Sequence, residues 1–252
     1  MTLLQRLARR FGYDLIPRKK KKIPSAQLVA ILKHHRIDTV LDVGANVGQY
    51  GQRLRDWGYE GRIISFEPLA SAHAQLVAKS APDPAWKVVP RMAIGDHDGD
   101  IDIQVSAETD MSSILPQSDL LQEISPTSAI QTTERVPIHR LDTIAKDYVT
   151  GEGRAFLKID TQGFEPQVLD GSEALLPGLV GVQLEMSLVP LYQGERDYLA
   201  MIERLEAGGF ALHLVLPGYF ERKLARMVEI DGVFVREAAR LPSEGAGSKH
   251  SG

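Results

Sequence analysis

Val40-Leu41-Asp42-Val43-Gly44-Ala45-Asn46-Val47-Gly48-Gln49-Tyr50 carries an apolar stretch into a glycine-spaced turn and straight on into a helical pattern. The apolar run ends on an acid, Asp42. Gly44 and Gly48 permit tight backbone conformations and close approach of a ligand. Asn46 tolerates a left-handed conformation or caps the helix. In an open α/β sheet, ligands sit where a strand's carboxyl end meets the helix that follows.

The chain on either side alternates in the same way. Short β-branched runs predict strands at 38–43, 62–66, 86–90, 155–160, 180–186 and 210–216, and a last one at 227–235 with a turn at Asp231-Gly232. Helical patterns separate most of them, at 46–57, 68–80, 163–176 and 195–208, and another precedes them at 25–36 with Ser25 as N-cap. Such alternation specifies right-handed crossovers and a doubly wound, mostly parallel α/β sheet. Residues 99–140 break the rhythm. GDIDIQVS (99–106) and RVPIHRL (135–141) read as strands of a small β-insertion at the ligand edge, joined by a polar loop. The organisation expected is a basic amphipathic segment at 1–24, one domain at 25–237 and a disordered, Gly/Ser-rich tail at 238–252.

A chain of 252 residues, 43% hydrophobic and 25% charged, suits one large α/β domain. The lack of cysteine excludes disulfides, thiolate zinc sites and cysteine nucleophiles, and fits a reducing cytoplasm. No apolar run approaches the ~20 residues of a membrane span, and the N-terminus lacks the apolar core of a signal peptide. The net charge of −4 is uneven: residues 1–22 hold eight basic residues and one acid, so the rest of the chain is strongly acidic. An acidic body is a poor partner for nucleic acid. Leu3, Leu4, Leu7, Ala8 and Phe11 share one helical face in that segment, with Arg6, Arg9 and Arg10 opposite. Two readings of it stand: a helix packed on the domain with a solvated lysine run, or a peripheral anchor on an anionic membrane surface. No signal specifies an oligomeric state.

Glu67 ends the second strand, 19 residues past Gly48, where an acid can accept from both hydroxyls of a ribose. Ala93-Ile94-Gly95-Asp96 follows the third strand, where an adenine ring would lie. The turn differs from the G-x-G-x-x-G dinucleotide fingerprint: its glycines are four apart and position 46 is Asn. The charge of Asp42 would repel a pyrophosphate but suits the amino group or sulfonium of S-adenosylmethionine. On the other side of the switch point, Asp160 ends the fourth strand and is a candidate general base, metal ligand or anchor of the methionine amine. Glu165 could join it or face the dipole of its own helix. Glu185 ends the fifth strand as a further candidate acid. His139 is a candidate base, and Ser112 and Ser113 are candidate acceptor contacts. Carboxylates 160, 165 and 185 could also hold a divalent ion, although this reading is not favoured.

LDVGANVGQYG (41–51), ISFEP (64–68), AIGD (93–96), Ser112-Ser113, VPIHRLDTI (136–144) and LKIDTQGFEPQVLDG (157–171) together resemble the FkbM family of class I methyltransferases, over about residues 38–236. The resemblance implies a Rossmann-like, seven-stranded sheet whose last strand is antiparallel. It also implies S-adenosylmethionine as donor and a hydroxyl acceptor, often on a sugar or polyketide-type product. By the same resemblance, Asp42, Gly44, Ala45, Asn46, Gly48 and Tyr50 would line the methionine half of the donor, Glu67 the ribose, and Met92, Ala93 and Asp96 the adenine. The function expected is an O-methyltransferase acting on a glycan or glycolipid. The alternatives are a natural-product or nitrogen acceptor, or a non-catalytic donor-binding module. Acids at two further strand ends argue against the last.

Overall fold

The computed structural model describes residues 7, 11, 23–107, 109–149 and 153–237. The readings of the basic segment as a helix or membrane anchor, and of 238–252 as a disordered tail, lie outside the described residues. Helix α1 (Pro24–His34) leads into β1 (Thr39–Val43), α2 (Gln49–Asp56), β2 (Arg62–Phe66), α3 (Ala70–Ser80) and β3 (Trp86–Val88). The insertion follows with β4 (Ala93–Ile94), β5 (Gly99–Ser106), α4 (Asp119–Ile124), β6 (Ile130–His139) and α5 (Leu141–Ile144). The chain then returns to the main sheet through β7 (Ala155–Ile159), α6 (Glu165–Asp170), β8 (Gly181–Ser187), α7 (Tyr198–Ala207) and β9 (Phe210–Pro217). It ends with the short β10 (Phe220–Glu221) and β11 (Arg226–Met227) and the long β12 (Glu229–Arg236).

Among the described residues the main sheet has seven strands in the order β3-β2-β1-β7-β8-β12-β9. β12 runs antiparallel to both neighbours, while the other pairings are parallel. The order reverses between β1 and β7, so a crevice opens there at the strands' carboxyl ends. Strand alternation divides the core between the two faces. Leu41, Val43, Leu157 and Ile159 pack beneath α6, α7 and the insertion, while Val40, Ile63 and Phe156 pack against α1 and α2. β4, β6 and β5 form a separate three-stranded sheet, with β4 parallel and β5 antiparallel to β6. The polar loop of the insertion contains α4, capped by Ser118 accepting from the Leu121 amide.

Several local expectations give way to tertiary structure. Ser25 does not cap α1: Ile23 occupies that position and Pro24 opens the helix, where its missing N–H costs nothing. No turn forms at Asp231-Gly232, which lies within β12. There, Asp231 pairs with Glu185 and Leu216, and Gly232 with Leu184 and Val215, so a two-sided ladder overrides a local turn preference. Helix 46–57 begins only at Gln49, because Asn46 and Gly48 are both left-handed and belong to the turn. Helix 163–176 shortens to Glu165–Asp170. Among the described residues no helix is long and apolar enough to cross a membrane.

Candidate active site

A cavity of about 440 Å³ occupies the crevice at the ends of β1, β2, β7, β8 and β12, with the insertion as one wall. Gly44, Ala45, Asn46, Tyr50, Glu67, Met92, Ala93, Ser112, Ser113, Asp160 and Glu185 all line it, so most of the residues singled out above converge. The glycines of the turn adopt the tight, left-handed backbone expected of them, and close packing adds a second need for glycine. A Cβ on Gly44 (φ +73°) would lie 1.8 Å from the Asp160 carbonyl oxygen, and one on Gly48 (φ +79°) would meet Leu76 and Trp86. Protein atoms crowd both positions; Gly44 lines the cavity and Gly48 does not.

Glu67 is 4% exposed and braces the turn: Oε2 accepts from the Asn46 amide at 2.7 Å and Oε1 from the Leu69 amide at 2.8 Å. Each oxygen keeps further acceptor capacity, and Glu67 lines the crevice. Burial pushes its pKa up to about 7, against the pull of those two amides. Met92, Ala93, Ile94 and Ile103 provide an apolar wall. Asn46 reaches the opposite wall, where its Oδ1 accepts from Thr109 Oγ1 at 3.2 Å.

Asp42 does not line the crevice. It is fully buried on the α2 face of the sheet, beside its register partners Ser65 of β2 and Lys158 of β7. Ser65 Oγ donates to its Oδ2 at 3.1 Å, and the Lys158 ammonium stands 3.4 Å from its Oδ1. The positive centre beside Asp42 is thus the protein's own lysine. Lys158 also lies 3.3 Å from Asp160 Oδ2, donates to the Gly44 carbonyl at 3.1 Å and sits 5.3 Å from the Tyr50 ring centroid. Burial opposes its charge, but Asp160 and Asp42 outweigh it and hold the ammonium firmly protonated. Burial pushes Asp42 up, with Lys158 pulling it only partly back.

The acids on β7 and β8 have diverging environments. Asp160 lines the crevice with its side chain 35% exposed; burial is overcome by Lys158 and by Gln162, so its carboxyl stays below the usual range. Glu185 is driven well above its usual range by burial and by the charge of Asp160. Gln162, left-handed at φ +56°, bridges the two, donating from Nε2 to Asp160 Oδ1 at 3.0 Å and to Glu185 Oε2 at 2.7 Å. Tyr192 Oη in turn donates to Gln162 Oε1 at 2.9 Å.

Of the remaining candidates, Glu165, Asp96 and His139 do not line the cavity. Glu165 turns back on its own loop, accepting from the Thr161 amide at 2.7 Å and its hydroxyl at 3.1 Å; burial raises its pKa to about 7. Asp96 is exposed and pairs with His97 at 2.6 Å. His139 faces away from the core because its neighbour Ile138 faces in; its Nδ1 lies 3.1 Å from Asp98 Oδ1. Ser112 and Ser113 line the wall, but their hydroxyls also serve the loop: Ser112 Oγ accepts from the Ser106 amide, and Ser113 Oγ donates to the Gln162 carbonyl. Among the described residues no group of three or more acids and histidines is arranged to hold a metal ion.

Lys158, Gln162, Gln183, Glu229 and Asp231 belong to the site without having been singled out. A lysine within an otherwise apolar strand, and acids two apart in the last strand, were the signals for three of them.

The donor set suits S-adenosylmethionine. Buried Glu67 offers free lone pairs to a diol beside an apolar slot, and ionised Asp160 offers a negative charge at the far side of the turn. The sequence model of the methyltransferase FkbM domain matches residues 42–212. Curated proteins include no match to the chain. Solved structures that resemble it do so remotely. The methyltransferase domain of bacterial CtHen1-C shares 14% identity, with 85% of this chain and 97% of that one covered, at a TM-score of 0.45. Fibrillarin from Aeropyrum pernix shares 11%, with 84% and 76% covered, at 0.44. Magnesium protoporphyrin IX methyltransferase from Synechocystis PCC 6803 shares 13%, with 94% and 86% covered, at 0.42. These likenesses are too distant to bear on the site, and the family match, over more than half of the chain, carries the assignment. The chain belongs to the FkbM methyltransferase family and is an S-adenosylmethionine-dependent methyltransferase.

Proposed function

We propose that the chain methylates a hydroxyl of a glycan or glycolipid, with Glu185 receiving the hydroxyl proton and Asp160 anchoring the donor's amine. S-adenosylmethionine, when bound, supplies a methyl group on an electrophilic sulfonium carbon. A hydroxyl acceptor must lose its proton, and a positioned carboxyl with a raised affinity for protons is suited to take it. The observation that carries the reading is the pair of carboxyls joined by Gln162. Paired carboxyls whose environments push their affinities for protons apart divide their tasks. Lys158 keeps Asp160 ionised for a cation, while the higher affinity of Glu185 suits it to take a proton. The crevice wall formed by Thr109, Asp110, Ser112, Ser113 and Gln162 is polar, which favours a hydroxyl-rich acceptor over an apolar one.

Glu185→Gln is expected to lower turnover by about 10²–10⁴-fold, measured as S-adenosylhomocysteine released with glycan acceptors, while donor binding is kept. Unchanged turnover would remove Glu185 from the reaction. Mass spectrometry of glycans from cells with and without the gene tests the acceptor class, since loss of a methyl is expected and unchanged masses refute it.

The eight basic residues of segment 1–22 support docking to the inner face of a membrane, each adding about 1 kcal/mol near anionic lipid. Equal sedimentation with anionic liposomes after removal of 1–22 would exclude that role.

A further inference from the structure

The crevice has a second acidic end that the reaction as read above does not use. β12 opens with Glu229 and Asp231, which share a face of the strand; Asp231 lies opposite Glu185 and Glu229 opposite Ser187 in the ladder with β8. Asp160, Glu185, Glu229 and Asp231 all line the cavity. Three of them have partners. Asp160 has Lys158 and Gln162, Glu185 has Gln162, and Asp231 accepts from Gln183 Nε2 at 2.9 Å. The Glu229 side chain has no hydrogen bond or ion pair among the described residues, although the residue is only 8% exposed and lines the cavity.

The main chain at this strand end is closely held. The Glu229 amide donates to the Tyr219 carbonyl, and a Cβ on Gly218 would lie 2.6 Å from the Glu229 main-chain carbonyl oxygen, so segment 217–219 packs against the start of β12. A buried carboxyl without a partner is costly to the free protein.

We propose that this end of the crevice, with Glu229 at its centre, is the acceptor subsite and takes a protonated amine carried beside the methylated hydroxyl, as in an amino sugar. The proposal rests on the methyl-transfer reading of the crevice and adds the chemical class of the acceptor. Charge decides among the candidates. Among the described residues two cations line the cavity, buried Lys158, already shared by Asp42 and Asp160, and Arg53, exposed on α2. Neither forms an ion pair with Glu229 or Glu185. A neutral polyol would fill hydrogen bonds but draw nothing from the acidity of this end, and a uronate or phosphate would oppose ionisation of its carboxyls. An ammonium favours their ionised form and supplies three donors, enough for Glu229 and its neighbours. Burial and the surrounding acids raise the Glu229 pKa to about 8, so an arriving cation would also release a proton there.

The test uses the whole chain loaded with S-adenosylhomocysteine and titrated calorimetrically with three tetrasaccharides, of glucosamine, glucose and galacturonate. The glucosamine oligomer is expected to bind, and the other two at least about tenfold more weakly. Glu229→Gln is expected to weaken the glucosamine oligomer by at least about tenfold and to leave S-adenosylhomocysteine affinity unchanged, which also reports that the variant folds. Equal or tighter binding of the neutral or acidic oligomer, no binding of the glucosamine oligomer, or indifference to Glu229→Gln would overturn the proposal. Loss of S-adenosylhomocysteine affinity in Glu229→Gln would also overturn it, by moving Glu229 to the donor half. A wild-type chain that binds no S-adenosylhomocysteine would overturn the methyl-transfer reading itself, so the two failures are distinct.

Discussion

Replacing Lys158 by methionine removes one charge from the floor of the crevice and nearly preserves volume, so the loss is electrostatic rather than a cavity. The ammonium stands 3.4 Å from Asp42, 3.3 Å from Asp160 and 3.1 Å from the Gly44 carbonyl, with the lysine side chain 4% exposed. At an effective dielectric of about 20, a single pair at that distance is worth about 5 kcal/mol, and breaking a buried pair from one side costs about 3–5 kcal/mol. The lower end is expected, because Asp160 reaches water and Asp42 can take up a proton. That proton sets the sign of the pH dependence. In the variant, Asp42 has a folded pKa further above its unfolded one. Its contribution is therefore fully present below the unfolded value and lost as pH rises through the folded one. In urea unfolding, the deficit against wild type is expected to be about 3 kcal/mol at pH 8 and smaller at pH 5. The narrowing is about 1.4 kcal/mol for each pH unit over which Asp42 is protonated only in the folded state. A deficit below about 1 kcal/mol, or one equal at both pH values, would refute the assignment of Lys158 as the counter-ion of a buried carboxylate.

Gly44→Ala is expected to cost at least about 3 kcal/mol, from a left-handed backbone and a clash with the Asp160 carbonyl. Gly194→Ala, at φ +81° with open space around it, should cost only about 1–2 kcal/mol, and equal losses by thermal unfolding would contradict the close β1–β7 approach. Glu67→Gln at pH 8 is expected to weaken S-adenosylhomocysteine by about 1.5–3 kcal/mol, as a hydrogen bond to a charged group loses its charge; unchanged calorimetric affinity would detach Glu67 from the ribose. Glu67 and Glu165, raised by burial to about 7, and Glu229, raised to about 8, bind protons in the folded state that they release on unfolding. Their stabilisation is complete below the unfolded carboxylate range and lost as pH climbs through 7 to 8, so the urea midpoint should fall from pH 5 to pH 8.5. A rising midpoint over that interval would exclude these buried neutral carboxyls.

The alternation of strands and helices was legible because each parallel strand is buried on both faces and each crossover helix has its own apolar stripe. Strands at 62–66 and 99–106 match the structure to the residue, whereas the turn expected at Asp231-Gly232 fails. The first two carry their own β-branched runs, with Gly61 before one and Asp98-Gly99 opening the other; the third depends on two ladders. Glu67 could be placed because it ends a strand next to the first. Asp42 could not be assigned its partner, since its cation comes from a strand more than a hundred residues later, and register rather than spacing brings Lys158 beside it. Glu229 was hidden for the same reason: its place in the crevice follows from the antiparallel insertion of β12 between β8 and β9.

The most direct measurement is a crystal structure of the chain with S-adenosylhomocysteine. Density for the nucleoside is expected in the β1–β7 crevice, with both ribose hydroxyls within hydrogen-bond reach of Glu67, the adenine against Met92 and Ala93, and the methionine amine toward Asp160. Density for the nucleoside outside that crevice, or a ribose turned away from Glu67, would contradict the assignment of the donor site.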